Sequence, residues 1–170
     1  MGKLLFRIAR LKIMGTFIGL VFAYFPFLVP VKKIRQNRKA VSFTHPAASY
    51  PNHVLIILRK VARTVFHLTN DDFDAVIEMA AKIRSGDSRD YVLVINGGKR
   101  QDVMQAHFHL FTGNLAGVPV SVGATMKRSP TFVPGRLDLR RLLIQHNISE
   151  ESFSLVFQIE GDTEPVVYLT

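Results

Sequence analysis

Nineteen consecutive residues, 13–31, carry no charge, and this run constrains the chain of 170 residues more than any other feature. As a helix it would be about 28 Å long, close to the roughly 30 Å hydrocarbon core of a bilayer. Four basic residues precede it (Lys3, Arg7, Arg10, Lys12) and five follow (Lys32, Lys33, Arg35, Arg38, Lys39), while residues 1–40 hold no acid. Upstream, Leu4, Leu5, Ile8 and Leu11 share one helical face and Lys3, Arg7 and Arg10 the other, the pattern of a helix lying in a membrane interface. No small-residue cleavage site follows the run at Val29-Pro30-Val31-Lys32-Lys33, which argues against a removed signal peptide. Pro26 and Pro30 would kink the helix or end it early. The expected organisation is therefore a basic amphipathic segment at 1–12, a transmembrane helix at 13–31 and a basic linker at 32–40. An interface-lying helix is the alternative. The excess of five cations after the span over four before it leans toward a single-pass protein with its globular part on the cytoplasmic side.

The rest of the chain has a different balance. The net charge of +9 resides wholly in residues 1–40, because residues 41–170 carry 13 basic and 13 acidic residues. A balanced domain lacks the basic face that a phosphate backbone requires, so a nucleic-acid partner is excluded. Cysteine is absent, which removes disulfides, thiolate nucleophiles and Cys-ligated zinc.

Runs of β-branched and aliphatic residues mark strands at Ala40–Thr44, His53–Leu58, Tyr91–Ile95 and Gln105–Phe111, with another at Val118–Val122. Thr69 or Asn70 can cap a helix over 70–84, in which Phe73, Val76, Ile77, Ala80 and Ile83 recur at helical spacing. A turn is expected at Asn96-Gly97-Gly98, a second helix over Leu137–His146, and a hairpin from Ser154–Ile159 and Val166–Leu169. Strands outnumber helices and segregate from them, so the class is α+β with an antiparallel sheet and helices packed on it.

Chemistry concentrates in Gln105-Ala106-His107-Phe108-His109-Leu110-Phe111. Strand alternation places Gln105, His107 and His109 on one face. Two histidines two apart can be plain strand residues, a metal pair or a catalytic pair. A zinc site would need a third ligand, for which His45 and His53 are available, but no carboxylate stands at ligand spacing beside the pair. No metal and no cofactor is expected.

Taken together, these residues resemble the histidine-triad (HIT) family. Its His-φ-His-φ-His-φ-φ strand corresponds to Gln105, His107 and His109, preceded by Val94-Ile95-Asn96-Gly97-Gly98 and Gln101-Asp102-Val103. Upstream, Phe43, a loop and Pro51-Asn52-His53-Val54-Leu55-Ile56-Ile57-Leu58-Arg59-Lys60 follow in the family's order. The resemblance covers about residues 41–113 and implies a HIT-like domain over 41–125, with 126–170 as a C-terminal helix and strand extension.

The resemblance implies nucleotide phosphoryl chemistry. His107 would attack the α-phosphorus of a nucleotide or nucleotide conjugate, His109 would hydrogen-bond the phosphate oxygens, and His53 would stand behind them as an accessory proton carrier. Asn96 and Gln101 would orient the phosphate or leaving group. Gln105 occupies the first triad position; it can donate and accept hydrogen bonds but cannot relay a proton at neutral pH. The ribose-gripping acid is replaced by His45. A membrane anchor would suit a lipid-linked nucleotide as substrate. The alternative is a degenerate HIT fold serving as an accessory subunit of a membrane complex. The implied partners are thus a nucleotide, the membrane, and either other subunits or a second copy in a homodimer.

Overall fold

A computed structural model describes residues 15–28, 31–46, 48, 52–83, 91–101, 103–112, 127–128, 139–145, 148, 152–159 and 166–169. The segment 1–12, the strand expected at Val118–Val122 and Asp102 lie outside the described residues. In chain order the elements are helix α1 (Gly15–Tyr24), a 3-10 turn (Pro26–Leu28) and strands β1 (Lys33–Gln36), β2 (Ala40–Thr44) and β3 (His53–Leu58). A 3-10 turn (Val65–His67), helix α2 (Asn70–Ile83) and strands β4 (Tyr91–Gly98), β5 (His107–Thr112) and β6 (Lys127–Arg128) follow. Helix α3 (Leu139–Gln145) and strands β7 (Ser152–Ile159) and β8 (Val166–Leu169) complete the set.

All the strands join one sheet in the order β1-β2-β3-β5-β4-β7-β8-β6, and every pairing is antiparallel. The stretch expected as an extension thus supplies β7 and β8 to the same sheet, with β7 paired to β4 from Tyr91↔Ile159 to Gly98↔Ser152. The α+β class with an antiparallel sheet holds.

Two layers form because β3 is buried on both sides along its whole length, as its unbroken apolar run requires. On one side, Phe73, Val76, Met79 and Ala80 of α2 and Leu139 and Leu143 of α3 pack against Ile56, Leu58, Leu93, Ile95, Phe108, Leu110, Leu155 and Phe157. Phe73 anchors this core, its ring 4.8 Å from that of Phe157 and 6.0 Å from that of Phe108. Helix α2 starts where the sequence places it. Thr69 Oγ1 accepts from the Asp72 amide at 3.2 Å, and Asp72 Oδ2 accepts from the Thr69 amide and hydroxyl at 2.8 Å each. Lys60 closes this capping box with an ion pair to Asp72 at 2.5 Å. Burial raises the Asp72 carboxyl, but the hydrogen bonds from Lys60 and Thr69 outweigh it and hold the group below the usual carboxylate range.

The other side of the sheet carries the described part of the run expected as a transmembrane helix. Helix α1 has 10 residues, about 15 Å at 1.5 Å per residue, half a bilayer core. No helix among the described residues is long and apolar enough to cross a membrane. Instead α1 lies on its own sheet. Phe22 and Val31 pack against Val41, Phe43 and Ile57, with the Phe22 and Phe43 rings 5.6 Å apart, and Gly19, Ala23 and Pro26 are buried. A side chain at Gly19 would place its Cβ 2.6 Å from Gln105 Oε1, so glycine is what lets the helix approach this closely.

Two smaller differences have local causes. Lys33–Gln36, expected as linker, forms the edge strand β1, and all four of its residues are exposed. The turn expected at Asn96-Gly97-Gly98 is instead the end of β4, and the chain reverses at Lys99-Arg100. Gly97 sits directly opposite Phe153 on β7, where a Cβ would fall 2.1 Å from the ring. The glycine there makes room for an aromatic side chain and also opens the turn, its carbonyl accepting from the Arg100 amide at 3.2 Å.

Candidate functional site

The face covered in part by α1 also carries the histidines. On β5, His107 pairs with Ile57 and His109 with Leu55 of β3, and the burial alternates along His107-Phe108-His109-Leu110. The two imidazoles therefore share a face, with ring centroids 5.0 Å apart. His53, at the start of β3 and paired with Phe111, brings its Nε2 within 3.0 Å of His109 Nδ1. His45, just after β2, stacks on His53 at 4.0 Å with ring planes 9° apart, and Phe111 stacks on His53 at 4.4 Å. Four histidines distant in sequence are thus brought to one patch by β2, β3 and β5.

Hydrogen bonds fix the tautomers. His107 Nδ1 lies 2.8 Å from the Gln105 carbonyl oxygen, which can only accept, so Nδ1 carries the proton and Nε2 keeps its lone pair. His53 Nδ1 is buried without a hydrogen-bond partner among the described residues. A buried lone pair without a partner is tolerated better than a buried N–H, so the His53 proton belongs on Nε2, donated to His109 Nδ1. That leaves His109 with its own proton on Nε2. Among His53, His107 and His109 the hydrogen bonds therefore leave one imidazole nitrogen that can attack, on His107, and one imidazole N–H that can donate, on His109.

Burial, and then the neighbouring His45, push His53 down to about 3, and burial followed by His107, His53 and His45 lowers His109 further. Both rings are neutral at pH 7. The consequence for stability has a definite sign. Below pH ~6.5 the unfolded chain protonates these two side chains while the folded chain does not, so stability is complete above that pH and falls as the pH drops toward 3. Each histidine contributes up to about 1.4 kcal/mol of loss per pH unit in that window. Thermal unfolding measured from pH 8 to pH 4 should show a flat melting temperature above 7 and a steep decline below 6. His109→Gln should flatten that decline, and a wild-type profile level between pH 7 and 5 would contradict the burial of neutral rings.

Ligand nitrogens of His45, His53 and His109 lie within 4.8 Å of one another, the arrangement among the described residues nearest to a metal site. The geometry fits a metal poorly. An imidazole binds a metal in its own ring plane, and the parallel planes of His45 and His53 cannot both contain one ion. As arranged, His45 and His53 form a stack to which the His109 ring is tilted by 40° and 39°, and the three do not form a chelate.

The remaining expected residues divide between the patch and its supports. Asn96 follows Val94, the partner of His109, by two positions on β4 and so faces the same side. Its Oδ1 accepts from Ser154 Oγ at 2.7 Å, and Arg100 donates to that hydroxyl at 3.2 Å. This Asn96-Ser154-Arg100 relay was missed in the sequence, because β7 had no recognisable partner there. Gln101 donates through Nε2 to the carbonyls of Arg63 and Val103, the latter at 2.7 Å, and so holds two loops together. Gln105 precedes β5 and is buried, with Oε1 accepting from the Ala62 amide at 3.1 Å and Nε2 donating to the Lys60 carbonyl at 3.0 Å. Both ends of its amide are held by backbone. Its amide thereby ties the segment at residues 60–62 to the chain just before β5.

A protein-family model described as the HIT domain matches residues 28–115. Among solved structures, a hypothetical protein from Leishmania major is similar at 19% identity with a TM-score of 0.50, over 78% of this chain and 91% of that one. A HIT family protein from Bacillus anthracis is similar at 18% identity with a TM-score of 0.49, over 78% and 96%. A histidine triad nucleotide-binding protein from Candida albicans is similar at 16% identity with a TM-score of 0.43, over 78% and 92%. A search among curated proteins finds no match. The family match begins at residue 28 and so includes β1 and part of the apolar run.

Proposed function

The chain belongs to the HIT family, and on that premise we propose that it binds a nucleotide or nucleotide conjugate and opens a bond at its α-phosphorus through His107. The observation that carries this reading is the fixed tautomer of His107. Its Nδ1–H is held by the Gln105 carbonyl, which leaves the Nε2 lone pair to serve as the nucleophile.

In the first step a P–N bond forms at His107 Nε2 while the bond from phosphorus to the leaving group breaks, and the leaving group departs with a proton from solvent. Water then attacks the phosphorus, the P–N bond breaks, and the nucleoside monophosphate is released with His107 restored. His109 Nε2–H donates to a phosphate oxygen as charge builds on it, an interaction strongest in the transition state. His53 sets the orientation of His109 by its hydrogen bond; held neutral, it positions and does not carry a proton. Asn96, steadied by Ser154, offers its amide N–H groups to the phosphate or leaving group.

A second reading has an observation of its own. With Gln105 held by backbone in place of the first triad imidazole, the fold can serve as an accessory subunit with little turnover. Incubation with adenosine 5′-phosphoramidate, alkaline quenching and peptide mass spectrometry separate the two. The enzyme reading expects an adenylyl group on His107. Absence of adduct, of turnover and of any nucleotide-dependent rise in melting temperature, for adenine, guanine and cytosine nucleotides alike, would establish the accessory reading.

A further inference from the structure

The outer face of the N-terminal layer has no role in the chemistry above. Phe17, Leu20 and Tyr24 follow one another at helical spacing on the side of α1 opposite to the buried Gly19, Ala23 and Pro26, and all three are exposed. Phe25, Phe27 and Leu28 continue the surface through the 3-10 turn, Phe27 being 73% exposed. Six large apolar side chains within twelve residues make a contiguous stretch of a kind that soluble surfaces rarely present. Directly after it come Lys32, Lys33, Arg35, Arg38 and Lys39, all exposed. The ion pairs Lys60–Asp72 and Lys82–Glu78 lie elsewhere. The whole of residues 1–40 contains no acid to offset these cations.

We infer that this face docks the folded domain onto the surface of an anionic phospholipid bilayer, with the α1 and 3-10 side chains entering the headgroup region and the β1–β2 hairpin meeting the lipid charge. Aromatic and aliphatic side chains beside lysine and arginine are the composition of an interfacial helix. Charge selects this occupant over a second copy of the chain. A two-fold pair through this face would set the same uncompensated basic hairpin against itself. The buried side of α1 selects surface docking over spanning, because Phe22, Ala23 and Gly19 already pack on the sheet. The inference does not rest on nucleotide chemistry, and its test uses none.

Flotation of the full chain with vesicles of phosphatidylcholine, alone or mixed with phosphatidylglycerol, reads the outcome. Binding should require the anionic lipid and be released by high salt. Phe27→Ser with Leu28→Ser should weaken it about a hundredfold, since each exposed side chain lost from the apolar contact costs roughly tenfold or more. Lys32→Gln, Lys33→Gln and Arg35→Gln together should weaken it about a hundredfold as well, at about fivefold per charge. Both sets replace exposed side chains, and an unchanged melting temperature verifies the fold. Three results would overturn the inference. One is retention on vesicles in high salt and alkaline carbonate, which indicates a span. Another is undiminished binding of either variant. The third is failure to float together with a dimer that Phe27→Ser dissociates, which assigns the face to a second copy.

Discussion

His107→Ala should reduce hydrolysis of a nucleotide phosphoramidate by about 10³-fold or more, to the level of background, because of the three hydrogen-bonded histidines His53, His107 and His109 only His107 keeps an unprotonated nitrogen that is neither buried nor engaged. His53 Nδ1 is buried against Phe111, and His109 Nδ1 is occupied by the His53 proton. His109→Ala should cost less, about 10²-fold in kcat, since it removes one donor to the developing charge and leaves the nucleophile in place. His53→Ala should resemble His109→Ala and add little to it in the double variant, because the two act as one hydrogen-bonded unit. Steady-state kinetics on the four proteins, with melting temperatures to verify folding, checks the order. Equal losses for His107→Ala and His109→Ala would remove the distinction between attacker and donor.

The other large effect falls on stability. Gln105→Ala strands the buried Ala62 amide and the part-buried Lys60 carbonyl, at about 1–3 kcal/mol each, so a total loss of about 2–6 kcal/mol is expected. For a domain of this size that lowers the melting temperature by roughly 5–15 °C. Gln105→His, which restores the family's residue, should also destabilise, because an imidazole has one donor and one acceptor whose spacing differs from that of an amide. Turnover should not rise. Calorimetry with parallel kinetics decides it, and a faster, equally stable Gln105→His protein would show that the imidazole reaches the reacting phosphate.

Much of the frame can be read from residue order. His53–Leu58 has no polar interruption, and only a strand buried on both sides accommodates that. Thr69 and Asp72 announce the helix start by a reciprocal bond that is purely local. Period-two alternation brings His107 and His109 to one face without further information. The failures are equally physical. Lys33–Gln36 has Ile34 as its one apolar residue, because an edge strand with all four residues exposed needs no apolar face. The run at 13–31 is apolar throughout, so its sequence cannot distinguish a lipid environment from a protein one. The contact of Phe22 with Phe43 is information that only the fold supplies. At Gln105 the strand pattern runs out, because β5 begins at His107 and the Ala106 amide is bonded to the Ala62 carbonyl instead of a neighbouring strand.

The close approach of α1 to the sheet changes what deletion of the apolar run would do. Removing a tether leaves a domain unchanged, but removing α1 would uncover Val41, Phe43 and Ile57 and open one flank of Gln105 to water. A shortened protein beginning at residue 41 would also lose β1 and leave β2, with its buried residues, as the sheet's open edge. Such a fragment would aggregate by strand pairing, and the result could be mistaken for evidence of a lost membrane span. Material suited to crystallisation is better sought by replacing the outward side chains of Phe17, Leu20, Phe27 and Leu28 while the helix itself stays in place.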